Sequence, residues 1–225
     1  MTMDADHDTA GQAANGLCLQ DLGISHDGTA LFAPVSLSVA PGCTATIMGP
    51  SGSGKSTLLS AICGTLDPVF AMSGSVTLNG RRLDGLPAQQ RRTGILFQDD
   101  LLFPHLSVAD NLAFGLPAGL PRAEQRRRIA EALSEAGLTG FEHRDPATLS
   151  GGQRARVACL RALMAEPEAL LLDEPFSKLD ADLRVRFRSF VFEHSISRGI
   201  PVLLVTHDPD DAGAADGEVI MLRGI

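Results

Sequence analysis

The sequence predicts an α/β domain with a mostly parallel sheet, an antiparallel β part before it and an α-helical lobe inserted within it. Short apolar strands alternate with helical segments near the end of the chain, a pattern typical of parallel sheets. Residues 99–165 show helical spacing without a convincing strand. We therefore expect a disordered tail over 1–15 and a single domain over 16–225, whose core comprises 16–98 and 166–225.

The first part of the core is predicted to begin with two antiparallel strands, Leu17–Ile24 and Leu31–Val39. The next segment, "CTATIM", is β-branched and apolar, which predicts a strand buried on both faces. Helical spacing in "KSTLLSAIC" predicts a helix that stops at Gly64. After it, "SGSVTLNGRRL" predicts a hairpin and "TGILFQ" predicts a strand.

The inserted lobe is predicted to contain three helices, in "VADNLAFGL", "RAEQRRRIAEALSEAGL" and "GQRARVACLRALMAE". Beyond it, strands are predicted in "EALLLD", "PVLLVTH" and "EVIML". A long helix in "ADLRVRFRSFVFEHSISRG" lies between the first two of these strands, and a short helix lies between the last two.

Charge and cysteine content exclude some classes of function. The net charge of −8 and the pI near 5.2 argue against a nucleic-acid binder, which needs a basic footprint. Cys18, Cys43, Cys63 and Cys159 are too widely spread for a metal site, so we interpret them as reduced thiols.

A glycine-rich stretch, "GPSGSGKST", lies between a predicted strand and a predicted helix. It fits the pattern G-x-x-x-x-G-K-[ST], in which backbone N–H groups, a helix N-terminus and Lys55 face a phosphate. The Ser56 hydroxyl suits Mg²⁺, although a plain glycine turn is the structural alternative. The residues predicted to hold the phosphates are Gly49, Pro50, Ser51, Gly52, Ser53, Gly54, Lys55, Ser56 and Thr57.

A second candidate motif, "ALLLDEP", is an apolar strand that ends in two carboxylates. Asp173 can hold Mg²⁺ through water, and Glu174 can orient or deprotonate an attacking water. Acids after a strand are common and are often merely solvated. Together with the glycine loop, these residues fit a GTPase, a kinase or a helicase as well as other nucleotide hydrolases.

The stretch "ATLSGGQRARV" narrows these alternatives, because its "LSGGQ" resembles the signature of the ATP-binding-cassette (ABC) ATPases. Other segments resemble that family in the same order: Gln98 resembles its Q-loop glutamine, "SKLD" its D-loop and His207 its switch histidine. Several segments are similar to bacterial importer ATPases, of the short thiamine type and more closely of the Ynj type. The implied fold is the P-loop NTPase core of the ABC type with an inserted α-helical subdomain.

The resemblance implies that ATP is bound between two copies arranged head to tail. Ser150, Gly151, Gly152 and Gln153 would then contact the nucleotide of the other copy, and Asp180 would connect the two sites. In the chain's own site, Lys55 would hold the β- and γ-phosphates, and Ser56, Gln98 and Asp173 would bind Mg²⁺. Glu174 would be the general base, and His207 would contact the γ-phosphate.

Two positions depart from the family pattern. His26 stands where an aromatic residue, most often Tyr, usually stacks on adenine, so stacking by imidazole and a plain solvent-exposed histidine both stay open. Lys178 stands in the D-loop where a small residue is usual, and its amine could lie at the dimer interface, reach a phosphate or point to water.

The resemblance favours the ATPase of an importer over that of an exporter or lipid-extraction system. It also disfavours a soluble mechanical ATPase, because the chain has one cassette and no long heptad run. The implied partners are a second copy, integral membrane permease subunits and, indirectly, a periplasmic or extracellular solute-binding protein. The expected location is the cytoplasmic face of the bacterial inner membrane. Leu101, Leu102, Phe103 and Leu106 form an apolar cluster that is either a permease socket or part of the core of the lobe.

Overall fold

The structure is a computed structural model that describes residues 15–225, so the predicted tail over 1–15 lies almost wholly outside the described residues. The strands are β1 (Leu17–His26), β2 (Thr29–Ala30), β3 (Val35–Val39), β4 (Thr44–Met48), β5 (Phe70–Leu78), β6 (Arg81–Arg82), β7 (Thr93–Leu96), β8 (Ala169–Asp173), β9 (Val202–Val205) and β10 (Val219–Met221). The helices are α1 (Lys55–Cys63), α2 (Ala88–Arg91), α3 (Val108–Gly115), α4 (Arg122–Glu135), α5 (Gly151–Met164), α6 (Ala181–Ser197) and α7 (Pro209–Ala215), with a 3₁₀ turn at Pro146–Thr148.

The first sheet is antiparallel, with the order β2-β1-β5-β6 and β3 paired to β1. The predicted hairpin forms β5 and β6, whose turn residues Asn79 and Gly80 both have positive φ, of 50° and 76°. The strand predicted over Leu31–Val39 is wrong in its first half. β3 begins only at Val35, because Pro34 has no N–H to donate to a strand ladder, and Phe32 makes a single bridge to Gly224.

The second sheet is parallel and has the order β10-β4-β9-β8-β7. Alternate residues of its central strands enter two different apolar cores. Ala169 and Leu171 pack in the core that contains α1 and the antiparallel sheet, whereas Leu170 and Leu172 pack in the core that contains α5 and α6. Because both faces of β8 are buried, its sequence is continuously apolar rather than alternating.

Helices α3, α4 and α5 lie between β7 and β8 in the chain, where the helical lobe is predicted. Their buried residues, including Leu112, Leu133 and Leu160, belong to the same apolar core as Leu170 and Leu172 of the sheet. The lobe is therefore packed against the sheet by a continuous apolar contact. The division of the chain into 16–98, 99–165 and 166–225 stays a prediction. Across residues 15–225, no helix is both long and apolar enough to cross a bilayer.

The order of the parallel strands positions the motifs. The glycine loop follows β4, His207 follows β9, Glu174 follows β8 and Gln98 follows β7. These four strands are neighbours in the sheet, and their carboxyl ends meet at one edge. In open α/β sheets this edge is where ligands bind.

Candidate nucleotide site

The glycine loop connects β4 to α1 and ends at Gly54, which caps α1 in a left-handed conformation with φ 92°. A Cβ on Gly54 would lie 2.7 Å from Cδ1 of the buried Phe32, so a side chain would collide there as well as be strained. Phe32 therefore packs against Gly54 at the end of the loop. Helix α1 then starts at Lys55.

Polar groups of the loop are suited to an anion. The Lys55 ammonium lies within the loop and donates to the carbonyl oxygens of Gly49 at 2.9 Å and Pro50 at 2.8 Å. The hydroxyl of Ser53 is buried and has no hydrogen-bond partner among residues 15–225. A buried hydroxyl without a partner is costly, and a phosphate oxygen would satisfy it. The loop thus fits the phosphates of a nucleotide.

Asp173 ends β8 inside the protein, with 3% of its surface exposed. Burial raises the pKa of its carboxyl; a hydrogen bond with the Ser56 side chain opposes this shift, the charge of Glu174 adds to it, and the charge of Lys55 opposes it. A cation beside Ser56 would favour the ionised carboxylate. Ser56 and Asp173 therefore fit Mg²⁺, which prefers hard oxygen ligands.

Glu174 has a left-handed backbone, with φ 51°, which is uncommon for a residue with a side chain. Its N–H donates to the carbonyl of Val205 at 2.9 Å, which fixes this turn to the adjacent strand β9. Its Oε1 lies 2.7 Å from Nδ1 of His207, whose side chain is 69% exposed. The carboxylate and the imidazole are thus paired at the edge of the sheet.

The segment that carries His207 is fixed to α6. Asp208 forms an ion pair with Arg184, and the buried Asp211 accepts a hydrogen bond from Arg188 at 2.9 Å. The Asp208 N–H also donates to the hydroxyl of Thr206 at 3.0 Å. These contacts hold the backbone around His207 while its ring stays exposed.

Gln98 and His26 lie at the periphery of the site. Gln98 is exposed two residues beyond β7, and its carbonyl accepts a hydrogen bond from Lys178 at 2.8 Å. His26 ends β1 with its side chain half exposed, and its ring centroid lies 5.4 Å from that of Phe70 on the paired strand β5. Sequence reasoning missed Phe70, because only the strand register brings it beside His26. Stacking of His26 on adenine stays a prediction.

The signature stretch leads into the first turn of α5, which begins at Gly151, one residue before the predicted helix. Ser150 caps the helix: its hydroxyl accepts from the Gln153 N–H at 3.3 Å, and its own N–H donates to Gln153 Oε1 at 2.9 Å. The Arg154 N–H donates to the Ser150 carbonyl at 2.9 Å. Within residues 15–225, the N–H groups of Gly151 and Gly152 have no hydrogen-bond acceptor, as expected for helix starts.

The D-loop packs against this helix start. A Cβ on Gly152 would lie 2.9 Å from Leu179 Cδ2 and 3.0 Å from the Lys178 carbonyl oxygen. Asp180 caps α6, because its Oδ1 accepts from the Leu183 N–H at 3.0 Å. In the part of the chain that the structure describes, no hydrogen bond joins residues 150–153 to the glycine loop.

Comparison with known proteins agrees with this geometry. Residues 32–177 match the model of the family described as ABC transporter. The chain is 50% identical over 204 residues to the uncharacterized ABC transporter ATP-binding protein YnjD of Escherichia coli K12, covering 91% of this chain and 94% of that protein. The chain belongs to the ABC transporter family. As predicted, it is an ABC-type ATPase.

Two further comparisons concern import and assembly. The chain is 45% identical over 190 residues to the Fe(3+) ions import ATP-binding protein FbpC of Agrobacterium fabrum, covering 84% of this chain but only 53% of that protein. Its fold matches the dimeric post-hydrolysis structure of the ATP-binding cassette MJ0796 bound to ADP and Pi, with a TM-score of 0.80 and 31% identity over 92% of this chain and 94% of that one. The predicted fold class is confirmed.

Proposed function

We propose that two copies of this chain bind two ATP molecules head to tail, so that the signature of one copy completes the nucleotide site of the other. One observation carries the proposal. The open N–H groups of Gly151 and Gly152 share no hydrogen bond with the glycine loop of their own chain in residues 15–225. A helix start with unpaired N–H groups attracts phosphate. In a head-to-tail pair, the second copy would bring its own bound ATP next to these N–H groups. The matching MJ0796 cassette is described as dimeric.

In this arrangement each chain prepares its own nucleotide for attack by water. Lys55 and the loop amides hold the β- and γ-phosphates, while Ser56, Asp173 and Gln98 hold Mg²⁺. The metal, when bound, neutralises negative charge on the phosphates. Glu174 accepts the proton of the attacking water, and His207, whose Nδ1 lies 2.7 Å from Glu174 Oε1, contacts the γ-phosphate.

We further infer that ATP-driven closure moves partner permease subunits on the cytoplasmic face of the inner membrane. The apolar cluster predicted from sequence is partly exposed: Leu101 is on the surface, and Phe103 contacts the exposed Phe114 edge-on at 4.7 Å between ring centroids. The buried Asn111 bonds both the N–H and the carbonyl of Phe103, which holds this loop in place. Leu102 packs against the lobe core instead. A fixed apolar surface of this kind suits a short helix from a permease.

The solute would be chosen by the permease and by a periplasmic or extracellular binding protein. The chain spans about half the length of its FbpC relatives, so the iron named for them is not assigned to this protein.

Replacing Glu174 by Gln tests the proposal. We expect ATP binding to persist, hydrolysis to fall by about 10²–10⁴-fold, as for loss of a general base, and an ATP-dependent dimer to accumulate. Hydrolysis and size-exclusion chromatography with light scattering measure these outcomes. Glu193→Gln, which removes an exposed carboxylate on α6, is the matched control and should behave like the parent.

Two outcomes would contradict the proposal. Turnover of Glu174→Gln near that of the parent would remove Glu174 from its catalytic role. Failure of this variant to dimerise with ATP, both alone and on its purified permease, would refute the shared site.

A further inference from the structure

The chain contains only two lysines, and both lie in loops of the nucleotide site. Lys55 belongs to the glycine loop and Lys178 to the D-loop, whereas the other seventeen of the nineteen Lys and Arg residues are arginines. The Lys178 side chain is 38% exposed, and its ammonium is bonded within the chain. It donates to the Gln98 carbonyl at 2.8 Å and to Asp100 Oδ1 at 3.3 Å.

Asp100 is the centre of a cluster that joins three separate segments. Its second oxygen, Oδ2, accepts from Arg154 Nε at 3.3 Å, and only 11% of its side chain is exposed. Arg154 lies in the first turns of α5 and also donates to the Leu149 carbonyl at 2.6 Å, just before Ser150. One shielded carboxylate thus bonds a cation of the D-loop and a cation of the signature helix.

The same segments are also in steric contact. The Lys178 carbonyl and the Leu179 side chain occupy the space beside Gly152 where a Cβ would lie. The D-loop and the start of α5 are therefore in direct contact. Because Asp180 follows Leu179, the residues expected at the dimer interface adjoin this contact.

We propose that Lys178, Asp100 and Arg154 act as positioning residues, forming a clamp that ties Gln98 to the signature helix and the D-loop of the same chain. The clamp rests on the proposed function. Gln98 serves the chain's own nucleotide, while Gly151, Gly152 and Asp180 serve the nucleotide of the other copy. The clamp therefore transmits occupancy of one site to the surface that completes the other, which makes hydrolysis at the two sites cooperative.

The test compares ATP hydrolysis by the full chain with that by Lys178→Ala, Asp100→Asn and the double variant, as a function of ATP concentration. The parent should show a Hill coefficient above one. Each single variant should lower that coefficient toward one and reduce kcat at least about 5-fold, the lower end of typical coupling between sites. KM should change little. The double variant should lose no more kcat than the single variants, because all three disrupt the same clamp. Lys178→Arg, which keeps the cation, should recover most of the loss.

Arg127→Ala is the matched control, since Arg127 bonds two glutamates on the exposed face of α4 and should leave kcat and the Hill coefficient unchanged. The proposal is overturned if Lys178→Ala keeps the parent's kcat and Hill coefficient, or if the single effects multiply in the double variant. These results are distinct from failure of the shared site, which is decided by ATP-dependent dimerisation of Glu174→Gln.

Lysine acylation read by mass spectrometry gives a second measurement that does not depend on activity. Because the chain has only two lysines, each site can be followed separately. Loss of the Asp100 charge should increase acylation of Lys178 several-fold and leave that of Lys55 unchanged. Equal acylation of Lys178 in the parent and in Asp100→Asn would show that the clamp does not hold the amine.

Discussion

At the carboxyl edge of the parallel sheet, the catalytic candidates are held by buried strands, whereas the signature and the D-loop are held by polar contacts near the surface. Asp173 ends a strand whose five residues are all buried, and Glu174 is bonded to the neighbouring strand. Ser150 and Asp180 are exposed and serve as helix caps. The half that is proposed to bind the chain's own nucleotide therefore lies at the ends of core strands, while the half that is proposed to face another copy lies at two helix starts.

The two signature glycines differ in how closely the D-loop packs against them. Gly152 is needed by the chain's own packing, because a Cβ there would meet Leu179 and the Lys178 carbonyl at about 3 Å. The nearest atom to a Cβ on Gly151 is Lys178 Cδ, at an ordinary contact distance of 3.8 Å. The sequence interpretation, in which both glycines contact the nucleotide of the other copy, is therefore incomplete for Gly152.

The largest effect is expected from Gly152→Ala. Overpacking of this kind costs about 1–3 kcal/mol, so the Tm should fall by roughly 2–12 °C for a domain of this size, and ATP hydrolysis should fall with it. Thermal unfolding followed by circular dichroism measures the first effect.

Gly151→Ala is the matched control, with the same added methyl group one residue away. Its Tm should be equal to or slightly above that of the parent, because alanine favours helix, while its hydrolysis should fall if the phosphate of the other copy needs this space. Equal losses of Tm in the two variants would show that the two positions do not differ in packing.

Sequence reasoning predicted the strands that carry the catalytic candidates, because these residues lie in short local motifs at strand ends. Lys55, Glu174, Gln98 and His207 each follow a strand, and the neighbouring order of those strands brings them to one edge. The predicted start of α5, at Gly152, is one residue too late. The pattern of Ser150 with Gln153 three residues later is a capping box and could have placed it correctly.

Contacts between distant segments could not be predicted in this way. Asp100 lies 54 residues from Arg154 and 78 residues from Lys178, and no local pattern relates them. The contact of His26 with Phe70 depends equally on the register between β1 and β5.

A smaller effect, on the affinity for ATP, is expected from His26→Ala in the half that is proposed to bind the chain's own nucleotide. Stacking of a base on an aromatic residue contributes about 1–3 kcal/mol, and imidazole has a small ring, so the Kd for ATP should rise about 5-fold. Isothermal titration calorimetry measures this change. His26→Phe should retain affinity, and His143→Ala, at an exposed histidine of the lobe, should match the parent. Unchanged affinity in His26→Ala would remove the histidine from the adenine site and leave Phe70 as the aromatic candidate there.

A smaller loss of stability than in Gly152→Ala is expected from Ser150→Ala, which removes the cap of α5. Loss of a serine cap costs about 1 kcal/mol, which corresponds to a Tm lower by roughly 2–4 °C. Ser150→Asp separates this role from the proposed contact with the other copy, because aspartate caps a helix as well as serine does but carries a negative charge.

We therefore expect Ser150→Asp to keep the parent's Tm and to lose ATP-dependent dimerisation in the Glu174→Gln background, since its carboxylate would repel the γ-phosphate. If Ser150→Asp dimerised as readily as Glu174→Gln alone, no phosphate would lie near this helix start. In that case Ser150 would serve only to cap the start of α5. The difference between the half formed by the signature and D-loop and the half at the strand ends would then have no functional consequence.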